Sequence, residues 1–409
     1  MQNIIANHRK VRYYIGEAMI PSAGGSFTIT GVPFQPKAFI FYTTNASNSG
    51  DLSQTRALCG MGFDDGITRW GCQATEQDSL ATSKAGRFSS NTYSLVGKDS
   101  FATTVQYEAR VSAFTSDGAT LTINTNPGVN RYFLFIAIGG PGVNVQVGVH
   151  TITAPGTGNQ AFTGYRFRPD QLVFSSVMDP SIQVVRGDWR LSLGYSSGSG
   201  KNICIGSLIS DNVGTMNSHR FGSDADCLLQ YNTANTVEGR ARVNSLDLNG
   251  FTLNRTVAFT GSSPYFGVLA IAGPEGDVST YDEVASAPTD ITDSSLSWKG
   301  LLHAEISPNR ALNGDANDCT FSIGAALSST SRFAIAISDD HGAGTSRCRT
   351  FKYLSKVAIR IQETTGALRA DVDFKQFNAN GYTVTQETAG SVGDIHAVMT
   401  ITDSILNNY

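Results

Sequence analysis

The sequence predicts an all-β protein of three tandem, related antiparallel β-sandwich domains arising from an internal triplication, and three observations lead there. The phrase YFLFIAIGGP at 132–141 returns as YFGVLAIAGP at 265–274, within surroundings that return with it. Asp117-Gly118, Asn249-Gly250 and Asn380-Gly381 each interrupt alternating apolar and polar runs, the pattern of a tight hairpin. No stretch sustains the apolar period of an amphipathic helix. Composition agrees: 42 Gly among 409 residues, and only 16% charged against about 25% in a typical globular chain.

The elements follow in order within each copy. SFTITGVPF (26–34) is answered by QAFTGYRF (160–167), and FQPKAFIFY (34–42) by FRPDQLVFS (167–175). In the third copy this last strand is replaced by SWKGLLHAEI (297–306). MGFDDGITRWGCQA (61–74) aligns without a gap to LGYSSGSGKNICIG (193–206), and IGAALSSTSRFAIAIS (323–338) fills the same place. There Cys59, Leu191 and Phe321, then Met61, Leu193 and Ile323, then Phe63, Tyr195 and Ala325 recur at a period of two, so one face is buried. ARVSAFTSDGATLTI (109–123), ARVNSLDLNGFTLNR (241–255) and LRADVDFKQFNANGYTVTQ (368–386) are hairpins. The closing phrase, with IHAVMTI (395–401) as its third version, is continuously apolar and suits a central strand covered on both faces. Each copy thus holds about six to eight strands. The domains are 1–141, an N-terminal arm plus the first sandwich; 142–274, the second; and 275–409, a linker over 275–296 plus a diverged third sandwich.

A net charge of -4 gives no reason to expect nucleic acid as the partner. MQNIIANHRK lacks the pattern of a secretory signal, and no segment approaches the roughly 18 apolar residues of a membrane span. The six cysteines stand far apart and predict buried thiols, with neither a zinc site nor a disulfide framework.

No nucleophile, zinc or phosphate-loop motif occurs, so no enzyme activity, metal or cofactor is expected. Asp64-Asp65 reads as a solvated hairpin turn, since Ser196-Ser197 replace it in the second copy, and His341 in SDDHGAG reads as a surface loop. Asn45-Ala46-Ser47 and Asn254-Arg255-Thr256 fit the glycosylation pattern by chance. Trp70 aligns with Asn202 and Arg332, which makes it a variable site rather than a fixed core position. Trp70, Tyr195 and Arg332 are therefore the candidate contacts for a partner or a glycan. The segment before the first copy has no counterpart in the others, and His8, Arg9, Lys10 and Arg12 give it a basic character, as an arm that docks on a neighbouring subunit.

GVPFQPKAFIF (31–41), NGFTLN (249–254) and YFLFIAIGG (132–140) resemble a module of virion structural proteins of tailed bacteriophages, across most of the first two copies and half of the third. That resemblance implies a non-enzymatic particle component on the capsid surface, tail or fibre, which partners other virion proteins, itself included. The strand logic is more weakly similar to H-type lectin domains, which implies an alternative as a receptor-binding protein for host surface glycans. The expected setting is the virion, and a compact pseudo-threefold arrangement of the copies is the expected shape.

Overall fold

Strands that each bury one face must stack as layers, and short polar turns let neighbours pair antiparallel. A computed structural model shows how the layers close. It describes residues 11–403 apart from 99–103, 233, 235, 296–299, 309, 363, 364 and 366. Those residues form six antiparallel sheets, three of seven strands and three of four, and no helix.

In the first large sheet the order is Arg12–Ile20, Arg131–Gly139, Pro36–Ala46, Arg56–Asp64, Arg69–Gln77 and Ala85–Ser90. The small sheet that covers it runs Gly25–Ile29, Gly118–Thr125, Val105–Thr115 and Leu95–Lys98. A second pair of sheets follows the same order from Asn144–Thr151 beside Tyr265–Ala272, and a third from Pro274–Asp282 beside Ile395–Asp403.

The seventh strand of each large sheet comes from a different part of the chain. Arg186–Gly187, which precedes a strand of the second sheet, pairs with Ala85–Ser90 of the first. Asp315–Asn317 from the third pairs with Ser218–Ser223 of the second, and Leu52–Gln54 from the first pairs with Cys348–Tyr353 of the third. The exchange is cyclic, so the three sheet pairs form a closed ring, and each donation caps a sheet edge that would otherwise offer unpaired backbone groups.

Two kinds of core result. One apolar cluster draws on all three large sheets; the other clusters lie inside single sandwiches. This explains the closing phrase. Leu134, Ile136 and Ile138 point into the shared core, while Phe133, Phe135 and Ala137 point into their own sandwich. A strand between two cores has no polar face to show. The residues of period two, from Cys59 to Ala325, all lie in the shared core, and all six cysteines are buried free thiols.

The hairpin glycines have a reason beyond the turn. A Cβ at Gly118, Gly250 or Gly381 would stand 1.9 Å from the carbonyl oxygen of Ile29, Phe162 or Asp293, in the neighbouring edge strand. Any side chain there would push that strand off its sheet.

Two expectations are corrected. The N-terminal segment is no separate arm from Arg12 onward: Arg12–Ile20 is the edge strand of the first large sheet, in the place of Asn144–Thr151 and Pro274–Asp282. His8, Arg9 and Lys10 lie outside the described residues. The 275–296 stretch is no linker either, since Pro274–Asp282 and Thr289–Asp293 are edge strands of the third pair. Edge strands keep a wet face, so their sequences look like loop composition.

Candidate functional site

The residues singled out as exposed contacts are not exposed. Trp70 is fully buried and Tyr195 nearly so, and both belong to the shared core. Tyr195 exchanges a hydroxyl hydrogen bond of 2.9 Å with Tyr42 of the first sandwich. Burial drives the Tyr195 hydroxyl up to about 12, with its bond to Tyr42 acting against that rise. Trp70 presses on Gly267, where a Cβ would come within 2.1 Å of the indole. Arg332 is partly buried and ion-paired with Asp373, and its Nε donates to the Ser355 carbonyl at 3.0 Å. These three side chains hold sheets together and present no common surface.

The cause is a one-residue slip. Trp70 pairs with Phe63, Ile203 with Tyr195 and Phe333 with Ala325. The true counterparts of Trp70 are therefore Ile203 and Phe333, both buried, rather than Asn202 and Arg332. The second and third hairpins are one residue longer than the first, and a shift of one in a strand exchanges its two faces.

Asp64 and Asp65 open a hairpin turn whose tip, Gly66 and Ile67, is exposed, and Asp65 is half-buried, but Asp64 is not solvated. The Asp64 carboxylate is buried; it accepts from Gly66 N at 2.9 Å, Ser94 Oγ at 2.8 Å and Val111 N at 2.9 Å, with the Arg69 guanidinium 3.4 Å away. Burial raises its pKa to about 6, against the pull of Arg69 and these donors. Asp65 accepts from Ile67 N and Thr68 N and reaches Val147 N at 2.8 Å in the second large sheet. Both carboxylates fasten backbone. Asn45, similarly, is buried and bonded to Gln73, Tyr107 and Lys98, which removes it as a glycan acceptor.

The polar groups with the clearest common purpose line the ring joints. Arg87 Nη1 donates to the carbonyls of Gly187 and Asp188, at the end of one donated strand. Arg220, fully buried, does the same for Asn317 and Asp318 and adds the Pro308 carbonyl through Nε. At the third joint, Thr350 Oγ1 donates to the Arg56 carbonyl at 2.6 Å and accepts from Leu58 N. One end of the ring repeats a second device: Asp78 accepts from Cys348 N at 3.0 Å, Asp211 from Ala85 N at 3.0 Å, and His341 Nδ1 lies 3.2 Å from Ser218 N. His341 is thus a joint residue and not a free surface loop.

A buried ionic network in the third sandwich was missed from sequence. His396 lies between Glu305, at Nδ1, and Glu283, 3.2 Å from Nε2. Tyr281 OH donates to Glu305 at 2.7 Å, His303 Nε2 stands 2.9 Å from Glu305 Oε2, and Arg360 joins Glu283 and Asp394. Burial disfavours the imidazolium, yet the two glutamates raise His396 to about 9; burial would raise Glu305, yet His396 and His303 bring it down to about 2. By strand register His396 takes the place of Phe133 and Phe266, Glu305 that of Phe41 and Phe174, and His303 that of Phe39 and Leu172. The third sandwich has an ionised core where the other two have a largely aromatic one. Both imidazole nitrogens of His396 are engaged, and every member of this set is buried, so the set is arranged to hold sheets together.

Several clefts open on the surface of the described residues. One of about 490 Å³ opens between Arg12–Ile20 and Gly25–Ile29, with half-buried Tyr14 and Phe27 on its walls and Glu17 at its edge. Glu17 is already paired with buried Lys352 and accepts from Gly50 N at 3.0 Å. Among the described residues no group of three or more His, Cys, Asp and Glu side chains is placed to hold a metal ion. A scan of family models and a search of curated proteins both found no match to this chain.

Proposed function

We propose that the chain is a non-enzymatic structural component of a tailed-bacteriophage particle, on the capsid surface or associated with tail or fibre, and that it works by protein–protein assembly. In this reading three tandem copies of one sandwich module, near 1–141, 142–274 and 275–409, imitate a trimer within one chain. The observation that carries it is the cyclic strand exchange, because a head-to-tail interface that closes on itself is how separate subunits build rings. Covalent linkage lets the three outward faces differ while the ring stays fixed in stoichiometry, which suits a position of threefold or sixfold character on a particle. The investment of charged residues in joints and cores, as at Arg87, Arg220 and His396, supports a role in holding shape. Electron cryomicroscopy of purified particles tests it: the expected map contains a three-lobed body on head or tail, and absence of the chain from purified particles rejects the reading.

A second reading, adhesion to host surface glycans, is favoured by one observation, the cleft beside Tyr14 and Phe27, since half-exposed aromatic rings are what sugars stack on. A glycan array decides it, with Tyr14→Ala expected to abolish any binding found; an array without binding removes it.

A further inference from the structure

The three inward strands Arg69–Gln77, Asn202–Ile209 and Ser331–Asp339 each line the shared core with alternate residues. Counting six residues on from Trp70, Ile203 and Phe333, which face the same register partner in each sheet, reaches Glu76, Ile209 and Asp339. One of three equivalent places keeps an apolar side chain. The other two carry carboxyl groups, both fully buried. None of their four oxygens accepts a hydrogen bond from a backbone N–H or a cationic side chain, and the Ser218 hydroxyl, close to Asp339, serves only that carboxyl group, although a buried carboxylate short of donors is strongly disfavoured. Two carboxyl groups facing each other can satisfy one another only if one is protonated and donates to the other.

We propose that Glu76 and Asp339 share one proton and clamp the first sheet pair to the third, which makes this seam of the ring sensitive to pH. The seam is special, because the chain itself runs across the other two and only side chains, backbone bonds and the donated strand Leu52–Gln54 close this one. The charged surroundings agree. Burial is the chief cause that holds both groups above their ordinary range; Asp339, Asp78 and Asp211 raise Glu76 further, while the Ser218 hydroxyl and Glu76 pull Asp339 down and Asp340 and Asp318 push it up. The cations nearby are committed elsewhere: Arg349 to Asp78 at 2.8 Å, Arg347 to Asp340 at 3.3 Å, and Arg220 to three backbone carbonyls. The thiols of Cys319 and Cys348 stay protonated by burial.

The sign follows directly. Asp339 is raised to about 7 and Glu76 well above its ordinary value, so the folded ring holds more protons than the unfolded chain. The stabilisation is complete below the ordinary carboxyl value of about 4 and is lost as pH rises through about 7, and further as Glu76 ionises.

The test is thermal unfolding of the full chain across about pH 5 to about pH 8, for wild type, Glu76→Gln and Asp339→Asn, with infrared spectroscopy at neutral pH. The expected result is a midpoint that falls by several degrees with rising pH in wild type and stays flatter in either variant, with a protonated-carboxyl band present in wild type and lost in Glu76→Gln. Infrared spectra keep the test valid if one variant folds poorly. Parallel pH curves, or no such band in wild type, overturn the clamp. So does a midpoint at alkaline pH that calcium chloride or magnesium chloride raises in wild type and not in Glu76→Gln, which would make the pair a cation site.

Discussion

At the scale of single residues, the molecule uses the same position for opposite chemistries. Phe133 and Phe266 pack among rings, with Phe133 5.6 Å from Phe41 and Phe266 5.3 Å from Phe162, while His396 stacks on Tyr281 at 4.5 Å between two glutamates. His396→Phe alone leaves Glu283 and Glu305 buried without their cation, and is expected to cost about 3–5 kcal/mol in chemical denaturation. Replacing Glu283 by Ile, Glu305 by Phe and His396 by Phe together, as in the first sandwich, is expected to recover most of that loss. The His396 contribution is complete below the ordinary histidine value of about 6.5 and disappears as pH rises through about 9, so the triple variant should lose less stability than wild type between about pH 7 and about pH 9. Trp70→Ala, which empties a core slot, is expected to lower stability by about 3–5 kcal/mol without changing adsorption to any glycan surface.

At the scale of elements, what was legible in the sequence followed from burial on a regular period. The three Gly-centred hairpins and the closing strand stand where turn chemistry and apolar runs place them. The donated strands were not legible: Leu52–Gln54, Arg186–Gly187 and Asp315–Asn317 are two or three residues long and mostly polar, so they carry no period to detect. The edge strands Arg12–Ile20 and Pro274–Asp282 looked like an arm and a linker because half of each faces outward. Trp70 was misplaced because the first hairpin is one residue shorter than the others, which no gapless comparison reveals. The ionic network did leave a signal, His396 standing under Phe133 and Phe266 in the closing phrase, but a histidine beneath two phenylalanines becomes meaningful only once Glu283 and Glu305 are seen to approach from other strands. A prediction belongs to the joints: Arg220→Met leaves buried carbonyls without their donor and should cost about 2–3 kcal/mol. Hydrogen exchange should then show Asp315–Asn317 opening before the rest of its sheet; unchanged protection there would mean the guanidinium does not hold that joint.

At the scale of the whole molecule, a core shared by three large sheets has a consequence that separate sandwiches would not share. Val173, Leu193 and Ile271 of the second sheet lie in the same apolar cluster as Trp70 and Ile136 of the first and Ile335 and Met399 of the third. No sheet pair can leave without exposing the inward faces of the other two, so the ring is expected to unfold as one body. Elements that share a core and exchange strands lose their independent stability together, whereas beads on a string melt separately. Differential scanning calorimetry of the intact chain measures this most directly. The account predicts a single transition whose van't Hoff and calorimetric enthalpies agree, and three separable transitions would contradict it.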